Sequence, residues 1–166
     1  MSMHPVPENP HTPRYLEDFK VGDVVKTASL PVTREMIIDF SRQYDPQPMH
    51  LDEEAARHTM FGALVGSGWQ TLLVTMKLLL EAPLLGGTPM IAAEFKDVKF
   101  LAPMHPDDVL SACAEITGLQ ASKSRPDRGF MDVKVTTKNA DGVALVTQNF
   151  RLLLPTRASR STPGPV

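Results

Sequence analysis

The stretch at residues 66–83, GSGWQTLLVTMKLLLEAP, narrows the possible folds more than any other part of the chain. At helical spacing Trp69, Leu72, Leu73, Met76, Leu79 and Leu80 fall on one side, while Val74 and Leu78 fill much of the other. Lys77 is the only charge before Glu81. A helix apolar nearly all round must be buried. No apolar run reaches the roughly 18 residues of a membrane span, so the burial has to come from the protein itself and the chain is expected to be soluble. Gly66 and Gly68 stand at the start of this helix, and Pro83 is predicted to close it.

The cover comes from strands, because everything beyond Met90 reads as strand. Ala93 and Phe95 share one face and Val98 and Phe100 fall out of phase with them, which predicts a bulge near Asp97 within residues 91–101. A strand over 109–116 follows, then one over 130–138 where Met131, Val133 and Val135 alternate with Asp132, Lys134 and Thr136. Residues 139–142 have turn chemistry, and 143–154 pairs back as a long hairpin arm. Earlier in the chain, a short strand is predicted over 24–30, and Thr33 caps a helix in which Met36, Ile37, Phe40 and Tyr44 recur at helical spacing. Asp52 is a good N-cap for a second short helix through EEAARHT, which Phe61-Gly62 breaks. The sum is α+β: an antiparallel sheet of about five strands curved around one long helix. Such a sheet leaves its outer edge unpaired, which favours pairing with a second copy, so a homodimer is expected.

At 166 residues the chain suits one domain. The segment 1–13 carries four prolines and two histidines, and 156–166 is made of Ser, Thr, Pro, Gly and Arg with little else; each buries too little apolar surface to order itself, so both are read as flexible tails around a single domain at 14–155. Net charge is −2 with Lys and Arg scattered, which argues against nucleic acid as a partner. Cys113 is the only cysteine, so no intrachain disulfide can form, and it reads as an ordinary buried thiol. The opening MSMHPVPENPHTPRY lacks the basic start and apolar core of a signal peptide, so the protein is expected in the cytoplasm.

The chemistry concentrates in residues 44–52, YDPQPMHLD, where Asp45 and His50 stand five positions apart. Pro46 and Pro48 fix φ and bias Asp45 and Gln47 toward extended backbone, so the separation of the two side chains is less free than in an ordinary loop. An imidazole can accept or deliver a proton near neutrality, and a nearby carboxylate can fix its tautomer or share in activating water. The bland reading is a stiff surface turn, since Asp before Pro is ordinary turn chemistry. Beside it, Gly66-Ser67-Gly68 opens the buried helix, where unpaired N–H groups and the positive end of the dipole attract a developing oxyanion. The alternative there is a glycine chosen only for close packing.

The run at 40–55, FSRQYDPQPMHLDEEA, closely resembles the hydratase signature of the MaoC-like acyl dehydratases: Asp, any residue, Asn, Pro, any residue, His, then an acidic residue. YLEDFKVGD, FGALVGSGWQTLL and VKFLAPMHPDDVL resemble other family segments in the expected order, so the resemblance covers most of the chain. It implies a dimeric hotdog fold, a long helix wrapped by an antiparallel sheet, and an acyl-coenzyme A or acyl-carrier thioester as substrate. By position, Asp45 and His50 match the catalytic pair, and Gly68 matches the glycine whose N–H is expected to bind the thioester oxygen.

Gln47, Ser67 and Trp69 are candidate substrate-binding residues. Gln47 stands where the signature has Asn, Ser67 where a histidine often precedes the oxyanion glycine, and Asp107 where glycine often precedes the position of Asp108. The implied reaction is reversible hydration of a trans-2-enoyl thioester to the (R)-3-hydroxyacyl thioester, as in fatty acid metabolism. Coenzyme A would be part of the substrate, with no separate cofactor. A hotdog thioesterase or a non-catalytic acyl-thioester binding module is the alternative. His50, Asp52 and Glu53 match no strong ligand spacing, so no metal is expected. Trp69, Met76 and the leucines around them either line an acyl tunnel or, as a buried helix favours, form plain core. Lys96, Lys99, Arg125, Arg128 and Arg151 are available for coenzyme A phosphates, and His105 is assigned no role.

Overall fold

The computed structural model describes residues 12–82 and 84–161. A 3-10 turn at Leu16–Asp18 is followed by the short strands β1 (Val24–Lys26) and β2 (Leu30–Pro31). The single strand expected over 24–30 is thus two pieces, paired with different stretches of one later strand. Thr33 then caps α1 (Arg34–Tyr44), its side chain accepting from the Met36 amide. Ile37, Ile38 and Ser41 form the buried face of α1. Met36 and Tyr44 are exposed.

The prolines at 46 and 48 do more than stiffen a loop, because Pro48 takes the first position of a one-turn helix, α2 (Pro48–Leu51), where its missing N–H costs nothing. Asp52 caps α3 (Glu53–Arg57) by accepting from the Ala55 amide. The long apolar segment forms α4 (Gly68–Glu81). Pro83, expected to close it, lies outside the described residues; the last helical amide pairing is Ala82 N–H to Leu78 O.

Four long strands follow: β3 (Ile91–Phe100), β4 (Val109–Ala121), β5 (Arg128–Lys138) and β6 (Ala144–Pro155). The order across the antiparallel sheet is β1-β4-β5-β6-β3, with β2 also on β4, which is the hotdog arrangement around α4. The bulge expected near Asp97 is present: the β3–β6 register shifts between Lys96 and Lys99, and Asp97 takes φ of 51°. One face of the sheet, including Leu110, Ala112, Ala114, Met131, Val133, Val135, Leu152 and Leu154, packs on Val74, Leu78 and Leu79 of α4.

The orientation of α4 departs from the sequence pattern. Its buried face carries Gln70, Thr71 and Thr75 beside Val74, Leu78 and Leu79. The two hydroxyls are satisfied within the helix, Thr71 donating to Ser67 O and Thr75 to Thr71 O, while Gln70 donates its Nε2 to Met36 O and leaves its buried Oε1 without a partner among the described residues. The Thr75 hydroxyl also meets that of Thr137 at 2.7 Å. Hydroxyls returned to the helix's own carbonyls lose their desolvation cost, so they can line a core. The more apolar stripe, Trp69, Leu73, Met76 and Leu80, faces outward, with Trp69 at 69 % exposure and Leu80 at 58 %. Trp69 and Met76 are therefore not core of this chain.

Thr156 is buried and donates to Pro126 O, and a 3-10 turn at Arg157–Ser161 follows. Arg157 pairs with Asp18 and stacks over Tyr15. Packing thus continues past the limit expected at Pro155. Cys113 is half-buried rather than fully enclosed.

Gly129 on β5 sits where a Cβ would come within 2.7 Å of Gln120 O and 3.1 Å of the Ala121 Cα, both backbone atoms of the paired strand. Gly129→Ala therefore has to part β4 from β5, and is expected to cost about 1–3 kcal/mol. At about 2–4 °C per kcal/mol for a domain of this size, a thermal melt should show the loss as a drop of several degrees.

Candidate active site

Asp45 ends α1 as its C-cap, with its amide bonded to Ser41 O at 3.0 Å. From there the chain folds back: the Gln47 amide returns to Asp45 O and the His50 amide to Gln47 O. The stretch that looked like a rigid loop is a helix end joined to a helix start. This geometry brings His50 Nε2 to 3.5 Å from Asp45 Oδ2, with the imidazole buried and the carboxylate nearly so.

The other ring nitrogen settles the tautomer. His50 Nδ1 lies 2.7 Å from Val65 O. A carbonyl can only accept, so Nδ1 carries the proton, and in the neutral ring Nε2 is left bare. Val65 is itself held, its amide bonded to Met49 O and the next amide, of Gly66, to Met104 O.

Asp45 is held by two donors, Ser67 Oγ to Oδ2 at 2.6 Å and Gln47 Nε2 to Oδ1 at 2.7 Å. These hydrogen bonds, Ser67 first and Gln47 second, keep its carboxyl below the usual range against the opposing effect of burial; the nearby His50 adds a smaller push in the same direction. A bare imidazole nitrogen and an ionised carboxylate are both acceptors, so a donor such as water fits between them. Gly68 is the first residue of α4, and a helix's first amides have no acceptor within it. A Cβ at Gly68 would come within 2.8 Å of the Phe100 ring, so glycine keeps this approach open.

These groups share one pocket of about 440 Å³. Asp45, His50, Gly68 and Trp69 line it together with Met49, Phe61, Phe100 and Met104. Residues 18–139 match the family described as MaoC like domain. The chain belongs to the MaoC-like family. The MaoC-like dehydratase from Rhodospirillum rubrum is similar at 36 % identity, with a TM-score of 0.81 over 87 % of this chain and 98 % of that one. The uncharacterised protein YdeM of Bacillus subtilis (strain 168) is 33 % identical over 139 residues, 84 % of this chain and 97 % of its own. The (R)-hydratase from A. caviae involved in PHA biosynthesis has the same fold, with a TM-score of 0.68 over 84 % of this chain and 99 % of that one, at 23 % identity.

In this MaoC-like chain the structure brings together all six residues singled out from sequence, but not in the same capacity. Asp45, His50, Gln47, Gly68 and Trp69 line the pocket. Ser67 does not; it is fully buried beneath the pocket wall and bonded to Asp45. Gln47 spends its amide on Asp45 as well. None of Lys96, Lys99, Arg125, Arg128 or Arg151 lines the pocket; Lys96 pairs with Glu94, Arg128 with Asp127 and Arg151 with Asp132. The carbonyl of Val65 has no sequence signal, because any residue supplies a carbonyl. Phe61, Phe100 and Met104 were legible only as apolar residues. Among the described residues no cluster of three or more His, Cys, Asp or Glu could hold a metal, and no helix is long and apolar enough to cross a membrane.

Asp107, one of the departures from the family pattern, takes φ of 68°, a left-handed conformation that glycine adopts freely and Asp tolerates. It lies in the turn where Asp108 accepts from the His105 amide and from Asn139 Nδ2. His105 is an exposed member of that turn.

Proposed function

We propose that this protein adds water across the C2=C3 double bond of a trans-2-enoyl thioester and, in reverse, dehydrates the 3-hydroxyacyl thioester. The observation that carries the reading is the pair of acceptors, Asp45 Oδ2 and His50 Nε2, set 3.5 Å apart in a pocket that also contains the first amide of α4. A water donating one hydrogen to each acceptor presents its oxygen lone pair to C3. As the C3–O bond forms, the C=C electrons move onto the thioester oxygen, where the Gly68 N–H holds the enolate charge. Loss of such a donor typically costs about 3–4 kcal/mol in the barrier. Because Asp45 is a weaker base than an ordinary carboxylate, the released proton rests on His50 Nε2, facing the Asp45 charge. That proton is then delivered to C2, and the sum is one water added.

The thioester is of coenzyme A or an acyl carrier, with no separate cofactor in the reaction, and the shared fold with (R)-hydratases such as that of A. caviae supports the (R) product. The test is a panel of enoyl-coenzyme A substrates, from short linear to branched and dicarboxylic, followed by loss of the conjugated thioester absorbance. Hydration of at least one member is expected. Release of free thiol instead would make the protein a thioesterase, and binding without either reaction would make it a binding module.

The functional unit is a homodimer. Trp69, Leu73, Met76 and Leu80 on α4 and Phe95, Val98 and Phe100 on β3 are exposed large apolar residues, and β3 is the edge of the sheet. An apolar recess of about 450 Å³ lies between α4 and β3, and Trp69 borders both it and the site pocket. Monomers rarely expose so continuous an apolar surface along an unpaired strand edge.

A further inference from the structure

We propose that Ser67 is a positioning residue whose single hydroxyl holds the Asp45 carboxylate and, at the same time, caps the helix carrying the Gly68 amide. The inference rests on the hydratase reading and deepens it. From sequence Ser67 was a candidate for substrate contact, but its side chain is fully buried and both of its hydrogen bonds are internal. The directions of those bonds follow from chemistry alone. A carboxylate only accepts, so the one hydroxyl hydrogen goes to Asp45 Oδ2, 2.6 Å away. A backbone amide only donates, so a lone pair of the same oxygen takes the Trp69 N–H at 3.2 Å.

The result is a chain of aligned dipoles, from the first turn of α4 through Ser67 to the carboxylate. The positive end of a 14-residue helix is thereby relayed onto Asp45. Oδ2, the oxygen that Ser67 grips, is also the one that faces His50 Nε2. Rotation of the carboxylate would break both relations together, so the hydroxyl sets where the acceptor pair points. It also registers the pair against Gly68, the next residue in the chain. Ser67 thus ties the Asp45 carboxylate itself to the start of α4, beside the bonds of the Val65 amide to Met49 O and of Gln70 to Met36 O that hold the neighbouring backbone.

The groups that face Asp45 are few. Gln47 approaches Oδ1, His50 approaches from α2, and Ser67 from the start of α4. Of the residues lining the pocket, Asp45 and His50 are the titratable ones. Ser67 is the largest cause of the lowered Asp45 value, ahead of Gln47. A carboxyl without this donor protonates more readily, so its midpoint should move up when the hydroxyl is removed.

The experiment compares wild type with Ser67→Ala, Ser67→Gly and Ser67→Thr. Glycine is included because it serves as an N-cap with little loss of stability, which guards against a misfolded alanine variant. Two quantities are read: the NMR titration midpoint of the Asp45 carboxyl carbon, and kcat and KM for a hydrated enoyl thioester. Removal of the hydroxyl in Ala and Gly should raise the midpoint and lower kcat by roughly 10- to 100-fold, the scale of a misplaced catalytic group, with KM changed by less than about twofold. Thr should restore both. An unchanged Asp45 midpoint in the folded Ala and Gly variants would overturn the proposal, as would a loss confined to KM. The titration needs no turnover, so a wild type inactive on every enoyl thioester would sink the hydratase reading while leaving the positioning role to be decided by the midpoint.

Discussion

Asp45→Asn is expected to lower kcat for enoyl thioester hydration by about 10²- to 10⁴-fold, the range associated with a positioned proton-transfer group. The substitution keeps the size of the side chain and an oxygen for Ser67 to grip. It removes the negative charge facing His50 Nε2 at 3.5 Å, and with the oxygen kept toward Ser67 the new amide nitrogen meets the Gln47 donor at the other position. The water is then left with a neutral, weaker acceptor beside His50, and the imidazolium formed in the reaction loses its counter-charge. KM should change little. Steady-state kinetics on whichever enoyl thioester is hydrated best would check this, with circular dichroism to establish that the variant is folded. A variant within tenfold of wild type would remove Asp45 from the mechanism.

Leu73→Glu combined with Met76→Glu should convert the proposed dimer to a folded monomer, weakening association by about 10³-fold or more. That corresponds to roughly 4 kcal/mol. Both residues already face outward in the single chain, at 48 % and 43 % exposure, so a carboxylate there costs the protomer little. At a two-fold interface each substitution is buried twice, and unpaired charges in such a core are costly. Sedimentation velocity at micromolar concentration would measure the change. Activity should fall with it, because Trp69 borders both the site pocket and the apolar recess beside these residues. A double variant that remains dimeric would place the subunit contact on another face.

The two results probe different levels of legibility. Asp45, His50 and Gly68 could be picked out by residue type and spacing, since a carboxylate, an imidazole and a helix-opening glycine each carry a chemical signature. The strand β5 was equally readable, because alternation such as Met131-Asp132-Val133-Lys134-Val135 survives into its burial pattern, whereas β4 runs on to Ala121, past the end expected at 116, and β3 is exposed along its whole length. Even the bulge at Asp97 showed as a phase change. The one-turn helix α2 was not readable, because four residues cannot display a helical period. Nor was the role of Ser67, which depends on the 2.6 Å approach of a side chain 22 positions away.

The amino-acid order by itself determined that a long apolar helix had to be enclosed by an antiparallel sheet, because periodicity and the cost of wetting apolar surface act along a local stretch of chain. It also determined which side chains could exchange a proton. Which face of that helix turned inward was decided only by the tertiary structure. Thr71 and Thr75 return their hydrogen bonds to their own helix and so tolerate the core, leaving Trp69, Leu73, Met76 and Leu80 outside. The same holds for the bare nitrogen of His50, which exists because the Val65 carbonyl arrives from a distant turn. Contacts between residues far apart in sequence leave no local pattern, and the direction of each proton in this site depends on such contacts.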